Sequence, residues 1–510
     1  MKAQSPLLQV ACNGLIFDWS YQFTSPETIA EFARKRLPAD FDKQRDALLN
    51  GSYMNVSEGR EVSHALSRSR NSVLRCTGAV SNNGDESKFA RTVRRLRSGK
   101  WLGASGKPIK SVVNIGVGGS DLGPLMTSFA LREFAQDIQQ HQLSTHFVSS
   151  MDGGQLYAVL PICDPETTLF IIASKSFGTS DTFANVETVK VWVQEHFARL
   201  GGELANQWEA AWFEHHVIGV SANVQKMTDY GIPPAHQLVF EESVGGRFSM
   251  WSSIGLAIAT TCGVQVFRHL LAGAAMMDEH FAEAPITENI PMLMALLGVY
   301  NREERGINNL AILPYDGRFR HLPSYLQQLD MESNGKQYTA SGEPINTPTA
   351  PIVWGGFGPN GQHAFFQHLH QGHDKFAADF VCVLNRNAPN FSEGVVAALA
   401  EQQKLSVANC LAHRRLMAFG EQSDEAEKHY PGGHPTSLFA LSELTPETFG
   451  AIIAAYEHKV FVQGVIWGLN SFDQPGVEQG KKVAVSTLRR IKGESDEHFD
   501  ASTDKIISML

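Results

Sequence analysis

From about Lys110 onward the apolar positions gather into short β-branched runs, each followed by a longer stretch with helical spacing. "SVVNIGV", "TLFIIAS" and "HHVIGVSA" are the runs of a first series. The first two lead directly into amphipathic segments, which predicts strands of a parallel sheet covered by helices. A second series follows, in which "NNLAILPY" precedes "LPSYLQQLDMES", "APIVWGGF" precedes "GQHAFFQHLHQG", and "ADFVCVLN" closes the set. Two such series predict two α/β sandwiches with a ligand cleft between them. Residues 26–96 read as helical and charged, and "TPETFGAIIAAYEHKVFVQGVIWGLNSF" reads as a long helix starting at Thr445 and Glu447. The expected division is a helical segment over 1–100, a smaller α/β domain over 101–245 and a larger one over 246–510.

Bulk properties narrow the class. The chain has 510 residues, 43% of them hydrophobic and 19% charged, which is ordinary for a globular protein of two or three domains. A net charge of −10 argues against a general nucleic-acid binder, and any anionic ligand then needs locally placed cations. The six cysteines at 12, 76, 163, 262, 382 and 410 form no CxxC pair. That scatter, with no signal-peptide core at the N-terminus, predicts reduced thiols in a cytoplasmic protein. The uncharged stretch 250–267, "MWSSIGLAIATTCGVQVF", is diluted by hydroxyls and glycines and is expected to be a buried helix, with no membrane span.

Two turns carry candidate chemistry. "VVNIGVGGSDLGPLM" (112–126) reads as strand, glycine turn and helix. It fails the dinucleotide pattern, because Asp121 stands where a third glycine belongs, and the P-loop pattern, because Pro124 replaces the lysine. The second turn, in "TLFIIASKSFGTSDTF", offers Ser174, Lys175, Ser176, Thr179 and Ser180 before a helix. Hydroxyls, free backbone N–H groups and a helix dipole suit one compact phosphate monoester, with no room reserved for a base or ribose.

At these residues the chain resembles the glucose-6-phosphate isomerase family. "ESVGGRFSMWSSIG" (242–255) and "GVIWGLNSFDQPGVEQGK" (464–481) are similar to its two signatures. "QQLDMESNGK" (327–336), "NGQHAFFQHLHQG" (360–372) and "NVSEGREVSHALSRS" (55–69) are similar to its catalytic and N-terminal segments. The resemblance implies two sugar-isomerase-type sandwiches and reversible isomerisation of glucose 6-phosphate and fructose 6-phosphate, in glycolysis and gluconeogenesis, without metal or cofactor. It further implies Glu332 as the base for proton transfer through a cis-enediol and Arg247 beside the developing oxyanion. His363 and Lys481 are implied as the ring-opening pair. Gly119, Ser120, Ser174, Lys175, Ser176, Thr179, Gln328 and Gln474 would line the substrate cleft. In the family the histidine enters from the partner subunit, so a homodimer is expected, with no nucleic-acid or membrane partner.

Departures are few. Ser176 and Gly178 stand where threonines are usual, and Pro475 where an aromatic residue is common. The short stretch after Lys481 implies that the C-terminal extension of longer relatives is absent. The cluster of His363, His368, His370 and His373 has one i, i+3 pair but no HExxH base, so no metal site is expected. Two alternatives stay open at this point: a phosphosugar-sensing module without catalysis, and an isomerase of another sugar phosphate.

Overall fold

The computed structural model describes residues 6–69, 87–135, 143–388 and 391–510. It forms two units, Met1–Ser471 and Phe472–Leu510. The chain enters the larger unit through strands β1 (Gln9–Cys12) and β2 (Leu15–Tyr21), joined at Asn13 and Gly14, whose φ values are +48° and +81°. Asn-Gly is the pair that a two-residue hairpin with both φ positive requires. The expected N-terminal helical segment is therefore preceded by a hairpin, and its helices begin at Pro26. A second small hairpin, β3 (Tyr53–Asn55) and β4 (Arg60–Val62), follows.

The first apolar series builds a five-stranded parallel sheet from β5 (Ser111–Ile115), β6 (Ser144–Val148), β7 (Thr168–Ala173), β8 (Val217–Ser221) and β9 (Gln237–Val239). Its order is β6-β5-β7-β8-β9. Every residue of β5, β7 and β8 is buried, so both faces of the sheet are covered, as a parallel sheet requires. Because β7 pairs directly with β5, the turns that leave these two strands lie side by side.

The second series builds β10 (Asn309–Pro314), β11 (Ile352–Gly355), β12 (Phe376–Asn385) and β13 (Thr436–Glu443). These four are parallel, and the N-terminal hairpin extends their sheet antiparallel to β13, in the order β1-β2-β13-β12-β10-β11. The long predicted helix spans Pro446–Trp467, and every residue of it except Glu447 is buried. Thr445 caps it as expected, but the reciprocal partner of the cap is Thr448.

The uncharged stretch differs from the single helix expected. It divides into 3₁₀ turns at Gly246–Trp251 and Ser253–Gly255 and helices Leu256–Cys262 and Val264–Glu283, with a break at Gly263, whose φ is +98°. Among the described residues no helix is long and apolar enough to cross a membrane. Cys12, Cys163, Cys262, Cys382 and Cys410 are free thiols; the expectation for Cys76 lies outside the described residues.

The N-terminal segment is tied into the core by charge. Arg68 is fully buried and donates to both Asp278 oxygens at 2.6 and 2.7 Å and to Glu457, linking it to helices Val264–Glu283 and Pro446–Trp467. Asn470 Nδ2 donates to Asn55 Oδ1 at 2.7 Å. These bonds hold the 55–69 segment against the chain that leaves the long helix.

Candidate active site

The first turn leaves β5 and passes through a 3₁₀ turn, Gly118–Ser120, into the helix Leu122–Leu131. Gly119 is a glycine for a packing reason: a Cβ there would collide with the Gly246 carbonyl. That close approach brings Arg247 next to the turn. A Cβ on Gly118 would stand 2.9 Å from Gln328 Nε2, so Gln328 borders the same turn. Ser120 is held by its carbonyl, which accepts from Asn114 Nδ2 at 3.1 Å.

Gln328 and Glu332 share a π-helical segment, Gln327–Glu332, that continues the helix Leu322–Leu326. In this wide turn residues i and i+4 return almost to one face, and i+2 points the other way. Gln328 and Glu332 accordingly remain half-buried at the site, whereas Asp330 is buried and accepts from Lys459 Nζ at 2.7 Å.

Arg247 joins these parts. Its Nη1 donates to Glu332 Oε1, its Nε to Ser333 Oγ and its Nη2 to the Ser471 carbonyl, each at 2.9 Å. The Arg247 side chain is 4% exposed and that of Glu332 is 23% exposed. The cation is thus fixed from three sides while the carboxylate stays reachable.

The second turn, 174–179, is anchored by backbone. Ser174 N–H donates to the Val220 carbonyl, and the Lys175 carbonyl accepts from Ala222 N–H and Ser221 Oγ. Ser174 Oγ and Thr179 Oγ1 lie 3.0 Å apart, and Thr179 immediately precedes the helix Ser180–Leu200. Phe177 adopts φ +46° to close the turn, its ring buried against Phe183 and Tyr230. Ser176 is exposed. Lys175 is the informative residue. Its buried Nζ has no hydrogen-bond partner among the described residues, and burial, with the nearby charges of Arg60 and Arg247, pulls its pKa down to about 7 against the opposing charge of Glu242. A buried amine with no hydrogen-bond partner, beside two arginines against one carboxylate, Glu242, is a site suited to an anion.

The structure therefore brings together Gly119, Ser120, Ser174, Lys175, Thr179, Arg247, Gln328 and Glu332. His363 follows the short helix Gly358–Gly361 with its side chain exposed. His368 faces Asp374 at 3.2 Å, and His370 Nε2 lies 2.9 Å from His413 Nδ1. In the smaller unit Gln474 precedes the turn Pro475–Val477, and Lys481 stands exposed on the helix Glu478–Ile491, paired with Glu478 at 2.8 Å.

Sequence reasoning missed four residues around the site. Arg60 contributes to the positive surroundings of Lys175. Ser333 orients Arg247. Lys226 Nζ lies 3.2 Å from where a Cβ on Gly178 would be, so a further cation occupies space next to that glycine. Asp121 follows Ser120, and burial pushes its carboxyl up to about 6 against a hydrogen bond from Ser149. Only Asp121 had a local signal, a carboxylate inside an otherwise apolar strand-to-helix turn.

Residues 18–507 match the family described as Phosphoglucose isomerase. A glucose-6-phosphate isomerase of Idiomarina loihiensis is 63% identical over 497 residues, covering 97% of this chain and 98% of its own. One of Acinetobacter baylyi is 43% identical over 514 residues, covering 98% of this chain and 90% of its own. The crystal structure of a glucose-6-phosphate isomerase from Chlamydia trachomatis superimposes with a TM-score of 0.79 at 28% identity, over 98% of this chain and 92% of that one. With a family match across almost its whole length and relatives of this similarity, the chain belongs to the phosphoglucose isomerase family.

Proposed function

We propose that this protein interconverts glucose 6-phosphate and fructose 6-phosphate by ring opening followed by proton transfer through a cis-enediol. The observation that carries the reading is the Arg247–Glu332 contact at 2.9 Å, beside Gln328 and next to a glycine turn. A partly exposed carboxylate bonded to a buried guanidinium is equipped for enolisation.

The substrate phosphate binds at the 174–179 turn, between the Ser174 and Thr179 hydroxyls, the Lys175 ammonium and the first N–H groups of the following helix. This fixes C1 and C2 near Glu332. His363, supplied by the partner subunit of a homodimer, and Lys481 pass the proton that opens the ring; Gln328 and Gln474 hold hydroxyls. Glu332 then removes the C2 proton of the open aldose, and the C2–H electrons form the C1=C2 bond as the carbonyl π electrons move to O1. Arg247 stabilises the negative charge that appears there, held in advance by Ser333 and the Ser471 carbonyl. Protonation of C1 by Glu332, with the O2 proton passing to O1 as the C2 carbonyl forms, yields the ketose. Glu332 serves both carbons because either of its oxygens can carry the proton.

The direct test is proton NMR of glucose 6-phosphate with the protein in D₂O containing a chelator. The expected result is fructose 6-phosphate labelled at C1 and deuterium appearing at C2 of recovered glucose 6-phosphate. Conversion that never incorporates deuterium, or a Glu332→Gln variant with undiminished turnover, would overturn the mechanism.

A further inference from the structure

The two sheets share one connection pattern. In the first, the chain moves from β5 outward to β6 on one side and returns to β7 on the other; in the second, it moves from β10 to β11 and returns to β12. The reversal between neighbouring strands opens a crevice at their carboxyl ends, where α/β proteins bind ligands. In the first sheet that crevice holds the glycine turn and the 174–179 turn. Its counterpart in the second sheet, between the carboxyl ends of β10 and β12, is a cavity of about 430 Å³. That volume suits a metabolite.

The counterpart is lined by arginines. Arg318 follows β10, Arg386 follows β12, and Arg132 and Arg320 close the rim, against two carboxylates among the described lining residues, Glu133 and Asp316. Both carboxylates are already used: Arg318 bonds Glu133 at 2.6 Å and Asp316 at 2.7 Å, and Arg386 bonds Glu133 at 2.8 Å. Arg132 and Arg320 have no ion-pair partner among the described residues. Both stand over the Phe129 ring, at 4.5 and 5.5 Å, and Arg320 is also 5.6 Å from Phe357. Among the described residues neither guanidinium donates a hydrogen bond, so both keep their N–H groups open to an anion. Two polar atoms of the lining, Arg386 Nε and Tyr315 Oη, are also buried without a hydrogen-bond partner among the described residues. This concentration of arginine on a chain of net charge −10 is local.

We propose that this crevice is a second phosphate-ester site, separate from the substrate turn, which takes a small phosphorylated polyol. The guanidinium forks of Arg132 and Arg320 hold the phosphate, and Phe129 and Phe357 face the carbon skeleton.

The test is equilibrium dialysis of the full-length protein with labelled sorbitol 6-phosphate, which cannot isomerise. The wild type is expected to bind two equivalents per chain, and Arg132→Ala/Arg320→Ala to keep one with kcat/KM for isomerisation within about twofold of wild type. Both side chains are exposed, so the double variant keeps its fold. Lys175→Ala, which cripples the substrate turn, is expected to keep the other equivalent. A single equivalent in the wild type that survives Arg132→Ala/Arg320→Ala and is lost in Lys175→Ala overturns the second site and leaves the substrate turn standing. Two equivalents retained by Arg132→Ala/Arg320→Ala also overturn it. A single equivalent lost in Arg132→Ala/Arg320→Ala and kept in Lys175→Ala supports the second site and refutes the substrate turn.

Discussion

Arg247 and Glu332, 85 residues apart in the chain, meet through one hydrogen bond of 2.9 Å from Nη1 to Oε1. The other two nitrogens of the same guanidinium are committed to Ser333 and Ser471. The cation therefore cannot follow the carboxylate if Glu332 moves toward substrate, and its charge stays where an oxyanion would form.

Replacing Arg247 with Lys tests this arrangement. The charge is kept, but the planar fork that bonds three partners is lost. Turnover is expected to fall by about 10²-fold with KM changed much less, because the lost interaction acts in the transition state. Steady-state kinetics in both reaction directions will measure it, and a lysine variant with wild-type kcat would remove Arg247 from the chemistry.

His363 gives a sharper experiment. Glu332→Gln and His363→Ala are each expected to lose turnover by roughly 10²- to 10⁴-fold. If the histidine belongs to the partner's site, a mixed dimer of the two variants contains one site with both groups intact. Random re-association of equal amounts should then recover about a quarter of wild-type activity. No recovery after verified subunit exchange would place His363 in its own chain's site or outside catalysis.

Lys175 makes binding pH-dependent. Its free amine titrates at about 7, lowered chiefly by burial. A bound phosphate dianion favours the ammonium, so binding takes up a proton whenever the free amine is neutral. Affinity for sorbitol 6-phosphate is expected to be level below pH 7 once the ligand is dianionic. Above it, affinity should fall by about tenfold per pH unit until the bound amine also titrates. Calorimetry in two buffers of different ionisation enthalpy will detect the proton. A pH profile that is the same in Lys175→Gln would show that another group is responsible.

The strands and the two turns were legible because β-branched runs and glycine or hydroxyl clusters are local signals. The N-terminal hairpin has its signal too, in Asn13-Gly14, but charged helical stretches make up most of that segment and outweigh one two-residue turn. The break at Gly263 was readable only as a glycine within an apolar run, which many helices tolerate. The π turn left no trace. "LPSYLQQLDMES" fits an ordinary helix, and what accompanies the wider turn is tertiary: Lys459 holding Asp330 and Arg247 holding Ser333. Arg60 was hidden for the same reason, since its relation to Lys175 exists only after folding.

The Lys459–Asp330 pair is where that hidden part can be tested. Both side chains are 4% exposed, so their charges have little access to water. Lys459 also offsets the buried Asp379, whose pKa is raised by burial and lowered by Lys459 and Tyr456. Lys459→Met leaves two buried carboxylates without a cation and is expected to cost about 3–5 kcal/mol in urea unfolding. Adding Asp330→Leu removes one of those carboxylates and should return part of the loss. Stability and geometry then separate. If the pair holds the π turn that keeps Gln328 and Glu332 on one face, the double variant stays folded yet turns over more slowly, with C2 deuterium exchange reduced in proportion. A double variant with wild-type turnover would mean that the π turn is held by Arg247 and Ser333 alone.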